Sequence, residues 1–252
     1  MRVAGLFTDY DGTLAPADVR REDSAVPAQL LAALSQVSSQ IPVAVVTSKD
    51  LGFVRPRTPF AWAWAGVLGL EVKLRDGSGR LTQVSDEFAE TLTRVREALP
   101  PDIIVEEKRG TDGRLLGVSL DWTSATGSSP PELKGAESAF EAGGFQVDKY
   151  AGERYTDVYA AHIDKGMAVR ELTNLLGVKG PVAYLGDSEA DNEAFEECEI
   201  PICVEHSQRA DRLKCNLAVR PEELPPLLTA LVASGFEFED ALARVGGVTG
   251  KP

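Results

Sequence analysis

The sequence has few of the residues that build disulfide frameworks and histidine-based active sites. Only three cysteines occur in 252 residues, Cys198, Cys203 and Cys215, and they lack the paired spacing of a zinc site. We therefore expect reduced thiols, not a disulfide framework. The two histidines, His162 and His206, are isolated in the sequence, so histidine catalysis is not expected.

Long hydrophobic runs and positive charge are also scarce. No stretch approaches the roughly 18 uninterrupted apolar residues that a membrane span requires, and the N-terminal segment MRVAGLFTDYDGT has charges too early for a secretory signal. The formal net charge is −13, with no offsetting Lys/Arg-rich run. The lack of a span and of a secretory signal leads us to expect a cytoplasmic protein. Because an acidic surface repels nucleic acid and anionic lipid, we expect no membrane or nucleic-acid partners.

Apolar segments with alternating strand and helix patterns are present instead. A strand at 3–8, a helix at 26–38 and a strand at 42–48 predict a parallel sheet, whose ligands lie beyond the carboxyl ends of the strands. Between about 81 and 160 the predicted order changes to helix, strand, strand, helix, strand, strand, which is typical of a small two-layer module. The alternating pattern then returns.

These patterns predict an α/β protein with a Rossmann-like parallel core and an inserted α+β cap. The core would comprise residues 1–80 and 161–252, and the cap, with an antiparallel sheet and two helices, residues 81–160.

Two carboxylates follow the first strand in the segment LFTDYDGTLA. Asp9 and Asp11 would share one side of an extended chain, and Gly12 would permit a tight turn. A solvated Asp-Gly turn is one interpretation. A calcium loop is excluded, because Leu14 and Arg20 stand where that loop needs Gly and Glu. The remaining interpretation is a magnesium-assisted site with one carboxylate as nucleophile and the other as acid and base.

A second acidic segment, YLGDSEADNEAF, again follows an apolar strand. Asp187 would lie at the same sheet edge as Asp9, and Asp191 in the first turn of the next helix. Helix capping alone could account for these residues. Two acidic clusters at one edge, however, need a divalent cation to coexist, and ligand sets made only of oxygen indicate Mg²⁺ instead of zinc.

Two further segments could hold a phosphate. Lys165 opens a helix in HIDKGMAVREL, where its charge opposes the helix dipole, so it is either a solvated lysine or a ligand for a transferred phosphoryl group. Thr47 and Ser48 end the strand in VVTSKD and offer hydroxyls and amides, although many strands end in this way.

Together these four segments resemble the haloacid dehalogenase superfamily of phosphotransferases, whose ordered motifs are DxDGT, a strand-end Thr or Ser, a Lys, and GD followed by another Asp. The resemblance implies that Asp9 is the nucleophile that forms an aspartyl-phosphate and that Asp11 is the acid and base. It also implies that Thr47 and Lys165 bind the phosphoryl group and that Thr13 holds the turn. The implied Mg²⁺ ligands are Asp9, Asp11 through its backbone carbonyl, Asp187 and Asp191.

The position of the insert resembles the sugar-phosphatase branch, which includes trehalose-6-phosphate phosphatase and mannosyl-3-phosphoglycerate phosphatase. That resemblance implies a small phosphorylated metabolite as substrate. The segments DYDGTL and GLE and the position of Asp157 resemble the trehalose-phosphate type, whereas TSK at 47–49 is more like the mannosyl-phosphoglycerate type. Candidate substrate-binding residues are Thr13, Ser48, Lys108, Arg109 and Asp157, and Glu106 is a further candidate within the cap.

Other functions are also considered. Phosphoglycolate phosphatases and a phosphomutase of the phosphomannomutase type belong to the same branch, and the mutase would need an activating bisphosphate. A phospho-accepting receiver domain also uses strand-end carboxylates and a lysine. It is about half as long, however, and carries its acceptor Asp after a middle strand, where this chain has Thr47.

Overall fold

The structure is a computed structural model. It describes residues 1–17, 19–124, 129–150, 152–205 and 212–245, and the backbone of 249–250. His206 lies outside the described residues.

Strands and helices alternate along most of the described chain. The strands are β1 Gly5–Thr8, β2 Val43–Val46, β3 Ala63–Gly66, β4 Glu71–Leu74, β5 Gly79–Leu81, β6 Ile104–Arg109, β7 Leu115–Asp121, β8 Gln146–Lys149, β9 Tyr155–Tyr159, β10 Val182–Gly186, β11 Ile200–Val204, β12 Leu217–Val219 and β13 Thr249–Gly250. The α-helices are α1 Ala28–Ser38, α2 Leu51–Val54, α3 Glu87–Ala98, α4 Pro131–Ala142, α5 Lys165–Leu175, α6 Asn192–Glu196, α7 Leu224–Ala233 and α8 Phe238–Val245.

Nine strands form a large mixed sheet in the order β13-β12-β11-β10-β1-β2-β3-β4-β5. The six strands from β12 to β3 are parallel. At the two edges the pairs β3–β4, β4–β5 and β12–β13 are antiparallel. Strands such as VAVV and IPICV are buried along their whole length, as expected for a parallel sheet covered on both faces. One face packs against α1, α7 and α8, and the other against α5 and α6.

A separate antiparallel sheet follows, with the order β6-β7-β9-β8. Successive side chains of each strand point to opposite faces of this sheet, and the two faces differ in polarity. The apolar face, with Val118, Leu120 and Val158, packs against Phe88 of α3 and Phe140 of α4. The predicted fold class, a parallel α/β core with an added antiparallel α+β unit, is therefore confirmed. The exact limits of the cap, 81–160, stay a prediction.

The expectation that the cysteines are reduced thiols was wrong for one pair. Cys203 lies in β11 and Cys215 lies shortly before β12, and the structure joins them in a disulfide with a Cα–Cα distance of 5.8 Å. Twelve residues separate them in sequence, but β11 and β12 are neighbours in the sheet. The pairing depends on this strand adjacency, which the cysteine spacing does not reveal. Cys198 is free.

None of the helices that the structure describes has both the length and the apolar character needed to cross a membrane. The cytoplasmic location expected from the sequence stays a prediction.

Candidate active site

Three neighbouring strand ends bring the site together. Strand β1 pairs in parallel with β10 on one side and β2 on the other. Asp9 follows β1, Thr47 follows β2 and Asp187 follows β10, so these side chains meet at one edge of the sheet. Lys165, the first residue of α5, reaches the same point.

Lys165 joins two of the carboxylates in the interior. Its ammonium nitrogen lies 3.0 Å from Asp9 Oδ2 and 2.7 Å from Asp191 Oδ1, and all three side chains are buried. Helix α5 begins at this residue because Asp164 caps it, accepting a hydrogen bond from the Met167 amide at 2.7 Å. Burial of Lys165 between two carboxylates excludes the interpretation as a solvated lysine.

Asp191 is occupied by donors on both oxygens. Oδ1 accepts from Lys165 and from the Tyr184 hydroxyl at 2.8 Å, while Oδ2 accepts from the backbone amides of Asp187 and Ser188, each at 3.1 Å. The Ser188 hydroxyl donates to the same Oδ2. Asp191 therefore orients Lys165 and the turn that carries Asp187, in addition to capping the short helical turn at Glu189–Asp191.

Asp9 and Asp187 carry more negative charge than their surroundings neutralise. Burial raises the pKa of Asp9 to about 7, against the opposing effect of Lys165 and with help from Asp191 and Asp11. Burial, followed by the charges of Asp191 and Asp9, raises the pKa of Asp187 well above its ordinary value. A cation between them would remove both effects.

The donor set suits a hard divalent cation. Carboxylate oxygens of Asp9, Asp187 and Asp191 lie within 4.8 Å of one another. Ligand sets made of oxygen are typical of Mg²⁺ and Ca²⁺ sites. Since Asp191 already accepts five hydrogen bonds, Asp9 and Asp187 are the side chains with free capacity to hold such an ion.

Asp11 lies apart from this group. Its side chain is 28% exposed, and its Oδ2 is 3.9 Å from the ammonium nitrogen of Lys49. Burial raises the pKa of Asp11 and nearby Lys49 opposes the rise. A carboxyl group with a raised pKa at the open side of the site is suited to donating a proton.

Two glycines allow the carboxylates to approach the backbone. Gly12 has φ +74°, and a Cβ at this position would collide with the carboxylate of Asp187. A Cβ at Gly186 would lie 2.5 Å from Asp191 Cγ. Close packing therefore requires glycine at both positions, and at Gly12 the left-handed backbone requires it as well.

The hydroxyl residues of the sequence prediction lie at the same edge. Thr13 is buried and its Oγ1 donates to Asp187 Oδ1 at 3.2 Å. Thr47 is buried, and its Oγ1 accepts from the Lys49 amide at 3.1 Å. Ser48 is half-buried in the same loop.

An unusual backbone segment supports the Thr47 loop. Val67 and Leu68 have φ +48° and +57°, a left-handed conformation that is rare for such side chains. Their amides donate to the carbonyls of Lys49 and Thr47, both at 2.9 Å. Backbone strain at this position is consistent with a functional site, and the sequence analysis did not single out these two residues.

The polar face of the smaller sheet turns toward the core. Its register places Glu106 opposite Ser119, Ser119 opposite Asp157, and Asp157 opposite Asp148, so one row crosses all four strands. Lys108 lies on the same face, is 1% exposed and pairs with Asp157 at 2.7 Å.

Asp157 is thus part of a buried network. It also accepts from the hydroxyls of Ser119 and Tyr159. Burial acts to raise the pKa of Asp157, but Lys108 and the hydroxyl donors outweigh burial and lower it. Lys108 and Asp157 lie together on the face predicted to bind substrate, although each is already paired with the other.

The structure does not bring Arg109 to this group. Arg109 is half exposed and pairs with Glu107 and with the Gly113 carbonyl at 2.7 Å. Side chains alternate along β6, and a register shift separates Lys108 from Arg109, so the adjacent cation points elsewhere.

A cavity of about 540 Å³ lies where the smaller sheet meets the core. It is lined by Tyr150 of one unit and by Leu68 and Lys165 of the other. Five carboxylate residues line it against two lysines, and both lysines are already in ion pairs. The charged lining residues are Glu141, Asp148, Lys149, Asp164, Lys165, Glu189 and Glu193.

The sequence analysis did not place Lys49 or Tyr184 in the site. Lys49 stood in the VVTSKD segment beside two residues that were singled out, so its position was a usable signal. The sequence around Tyr184 indicates only an ordinary residue of a buried strand. Its hydroxyl bond to Asp191 depends on how β10 and the following helical turn pack.

Comparison with known proteins agrees with this geometry. A family model described as haloacid dehalogenase-like hydrolase matches residues 144–218, the segment that contains Lys165, Asp187 and Asp191. Residues 144–218 are therefore similar to the haloacid dehalogenase-like hydrolases. The ordered motifs on which the sequence resemblance depended meet at one sheet edge in this structure.

Individual curated proteins are similar to this chain over most of its length. A trehalose-phosphate phosphatase of Mycolicibacterium paratuberculosis is 29% identical over 236 residues, covering 86% of this chain and 58% of the relative. An uncharacterised glycosyl hydrolase of Mycobacterium tuberculosis is 28% identical over 230 residues, covering 84% of this chain and 17% of that protein. The chain thus spans from a sixth to somewhat over half the length of these curated relatives.

Solved structures share the fold of this chain. A trehalose-6-phosphate phosphatase related protein superposes with a TM-score of 0.69 at 21% identity, covering 92% of this chain and 98% of that one. At this identity the likeness shows the fold.

Proposed function

We propose that the chain is a phosphomonoesterase that hydrolyses a small sugar-type phosphate through an aspartyl-phosphate on Asp9, with Mg²⁺ as cofactor. The observation that carries the proposal is the placement of Asp9 beside Lys165 and Asp187, with Asp11 separate on the open side. One buried carboxylate is thereby available as nucleophile and a second as acid and base.

In the first half of the reaction, an oxygen of Asp9 forms a bond to phosphorus and the bond from phosphorus to the substrate oxygen breaks. Asp11 gives its proton to that leaving oxygen. Lys165, Thr47 and the neighbouring amides hold the phosphoryl oxygens, with Ser48 contributing at the same loop.

In the second half, Asp11 takes a proton from water, and the water oxygen attacks phosphorus. Inorganic phosphate leaves and the Asp9 carboxylate is restored. Thr13 holds the turn and orients Asp187 throughout. When bound by Asp9, Asp187 and the Asp11 carbonyl, with Asp191 supporting, a magnesium ion would neutralise the carboxylates and the phosphoryl oxygens.

Residues 81–160 would act as a cap that selects the substrate. The row of polar side chains, with Asp148, Asp157 and Ser119 beside Tyr159 and Lys108, offers acceptors and donors that suit sugar hydroxyls. The acidic cavity disfavours a substrate with a second anionic group near the phosphate, since its two lysines are already paired.

This charge pattern favours a neutral sugar, such as that of trehalose 6-phosphate, over the carboxylate-bearing mannosyl-3-phosphoglycerate and phosphoglycolate. The trehalose-phosphate phosphatase among the relatives points the same way.

Phosphate release from a panel of these three substrates and simple hexose phosphates, with and without Mg²⁺, tests the proposal. An Asp9→Asn variant serves as the control. Metal-dependent release from neutral sugar phosphates by the wild type alone supports it. Formation of a phosphate isomer without net release would identify a mutase instead.

A further inference from the structure

Glu106 connects the smaller sheet to the core. It lies in β6 at the start of the polar row, and its Oε1 accepts from the Arg21 guanidinium. The same oxygen is 3.4 Å from the Lys49 ammonium nitrogen. Arg21 and Lys49 both belong to the core, so one carboxylate of the cap contacts two core cations.

Arg21 is fixed in place by other contacts. Its guanidinium also pairs with Asp50, whose Oδ1 caps α2 by accepting from the Phe53 amide at 2.9 Å. The guanidinium lies 4.3 Å from the centre of the Phe53 ring. A cation held by both a carboxylate and an aromatic face is a rigid partner for Glu106.

Lys49 carries this connection to the reacting groups. Its ammonium nitrogen is 3.4 Å from Glu106 and 3.9 Å from Asp11 Oδ2. The lysine amide is held by Thr47 Oγ1, and its carbonyl by the Val67 amide, so the backbone is fixed while the side chain bridges cap and core.

We propose that Arg21, Glu106 and Lys49 form an ionic latch that closes the cap and positions Lys49 beside Asp11. The latch goes beyond the proposed phosphatase activity, and only its kinetic consequence rests on that activity. Both Glu106 and Lys49 are positioning residues. Lys49 acts on Asp11, the proposed acid and base, and Glu106 acts on Asp11 through Lys49.

The latch is reversible because its members are partly exposed. The side chains of Arg21, Glu106 and Lys49 are 34%, 30% and 21% exposed. Ion pairs of this kind each stabilise weakly and are screened by salt. Such pairs can hold a cap closed without preventing its opening.

Hydrogen exchange of the whole chain tests the latch without any substrate. Glu106→Gln should speed amide exchange in residues 104–109 and 47–54 by about threefold or more, the change expected from losing two partly exposed pairs. Glu107→Gln is the matched control. The adjacent Glu107 pairs with Arg96 and Arg109, so its loss should leave 47–54 unchanged.

A double variant shows whether Arg21 and Glu106 act together. Arg21→Met removes the Arg21–Glu106 pair but leaves the Lys49–Glu106 pair, so it should also speed exchange in 104–109. The two changes combined should be smaller than the sum of the separate changes, because they remove the same Arg21–Glu106 pair. Additive changes in amide exchange for Arg21→Met and Glu106→Gln would overturn the latch. Equal changes in exchange of residues 47–54 for Glu106→Gln and Glu107→Gln would also overturn it.

The kinetic readout separates positioning from substrate binding. Glu106→Gln should lower kcat about threefold to tenfold with KM little changed. The kcat of the wild type should fall as ionic strength rises, and Glu106→Gln should weaken that decline. A rise in KM alone, with unchanged exchange, would assign Glu106 to substrate binding and overturn the latch.

The two proposals fail in different ways. If the wild type hydrolyses no phosphate ester but the exchange result holds, the phosphatase proposal fails and the latch stands. If hydrolysis occurs and exchange in 47–54 is the same in all variants, the latch fails and the phosphatase proposal stands.

Discussion

Individual side chains in this site are constrained by charge and by close packing. Asp9 combines both, because it is buried beside Lys165 and within reach of Asp187 and Asp191. Its pKa of about 7 reflects burial that Lys165 only partly offsets. Keeping Asp9 ionised at neutral pH therefore costs stability unless a cation is bound.

Replacement of Asp9 should change the pH dependence of stability. A carboxyl group with a raised pKa stabilises the folded state below its unfolded pKa of 3.8, and this contribution is lost as pH rises through about 7. With chelator present, Asp9→Asn should raise Tm at pH 8 by a few degrees and have a clearly smaller effect at pH 5, where only part of the contribution is lost. Thermal unfolding at the two pH values measures this, and an equal effect at both would contradict it.

Replacement of Gly12 by alanine, which adds a single methyl group, should strongly reduce activity. Gly12→Ala requires a left-handed backbone at φ +74° and displaces the Asp187 carboxylate. We expect phosphatase activity to fall by about 100-fold or more, since misplacing a reacting group by about 1 Å costs that much.

Gly113→Ala is the control for this change. Gly113 has a similar φ of +86°, but no atom lies within 4 Å of its Cβ position. The backbone strain is then retained without the collision, and activity should stay near wild type. A similar loss in both variants would show that strain, not displacement of Asp187, causes the effect.

At the scale of elements, strand order decides which motifs meet. Strand β1 lies between β10 and β2, so the ends of three strands that are distant in sequence supply Asp9, Thr47 and Asp187. In the smaller sheet the period of two places Glu106 and Lys108 on the polar face, while Glu107 forms its ion pairs with Arg96 and Arg109.

The buried ion pair between β6 and β9 should be important for the stability of the smaller sheet. Asp157→Asn leaves the Lys108 charge buried without its partner and should destabilise the protein by about 3–5 kcal/mol. Thermal or denaturant unfolding measures the loss. Asp121→Asn in the neighbouring β7 is the control, because Asp121 is half exposed and Asn retains its bond to the Thr123 amide.

For the whole molecule, metal binding should couple the strand ends to global stability. Asp187 follows β10 and Asp9 follows β1, and both have raised pKa values that a divalent cation would reverse. Millimolar Mg²⁺ should therefore raise the Tm of the wild type. Asp187→Asn should abolish most of that rise.

A comparison of Mg²⁺ with Na⁺ at equal ionic strength is the control for this measurement. The net charge of −13 would make any salt stabilising through screening alone. A rise that Asp187→Asn leaves intact would show that Mg²⁺ acts on the surface and not at the site.

The sequence by itself determined the core fold and the set of acidic motifs. The apolar runs that end in Asp9, Thr47 and Asp187 are local sequence patterns. Because parallel strands present their carboxyl ends at one edge of a sheet, these patterns predict the position of the candidate site from the sequence alone. The haloacid dehalogenase resemblance depended on the same local segments.

The tertiary structure decided what depends on contacts between distant segments. The disulfide between Cys203 and Cys215 follows from β11 lying beside β12, and the separation of Arg109 from Lys108 from a register shift in β6. Glu106 contacts Arg21, which is 85 positions away in the sequence, and Lys49, which is 57 positions away. No local pattern encodes such contacts, because they form only when separate strands pair with each other or when the smaller sheet packs against the core.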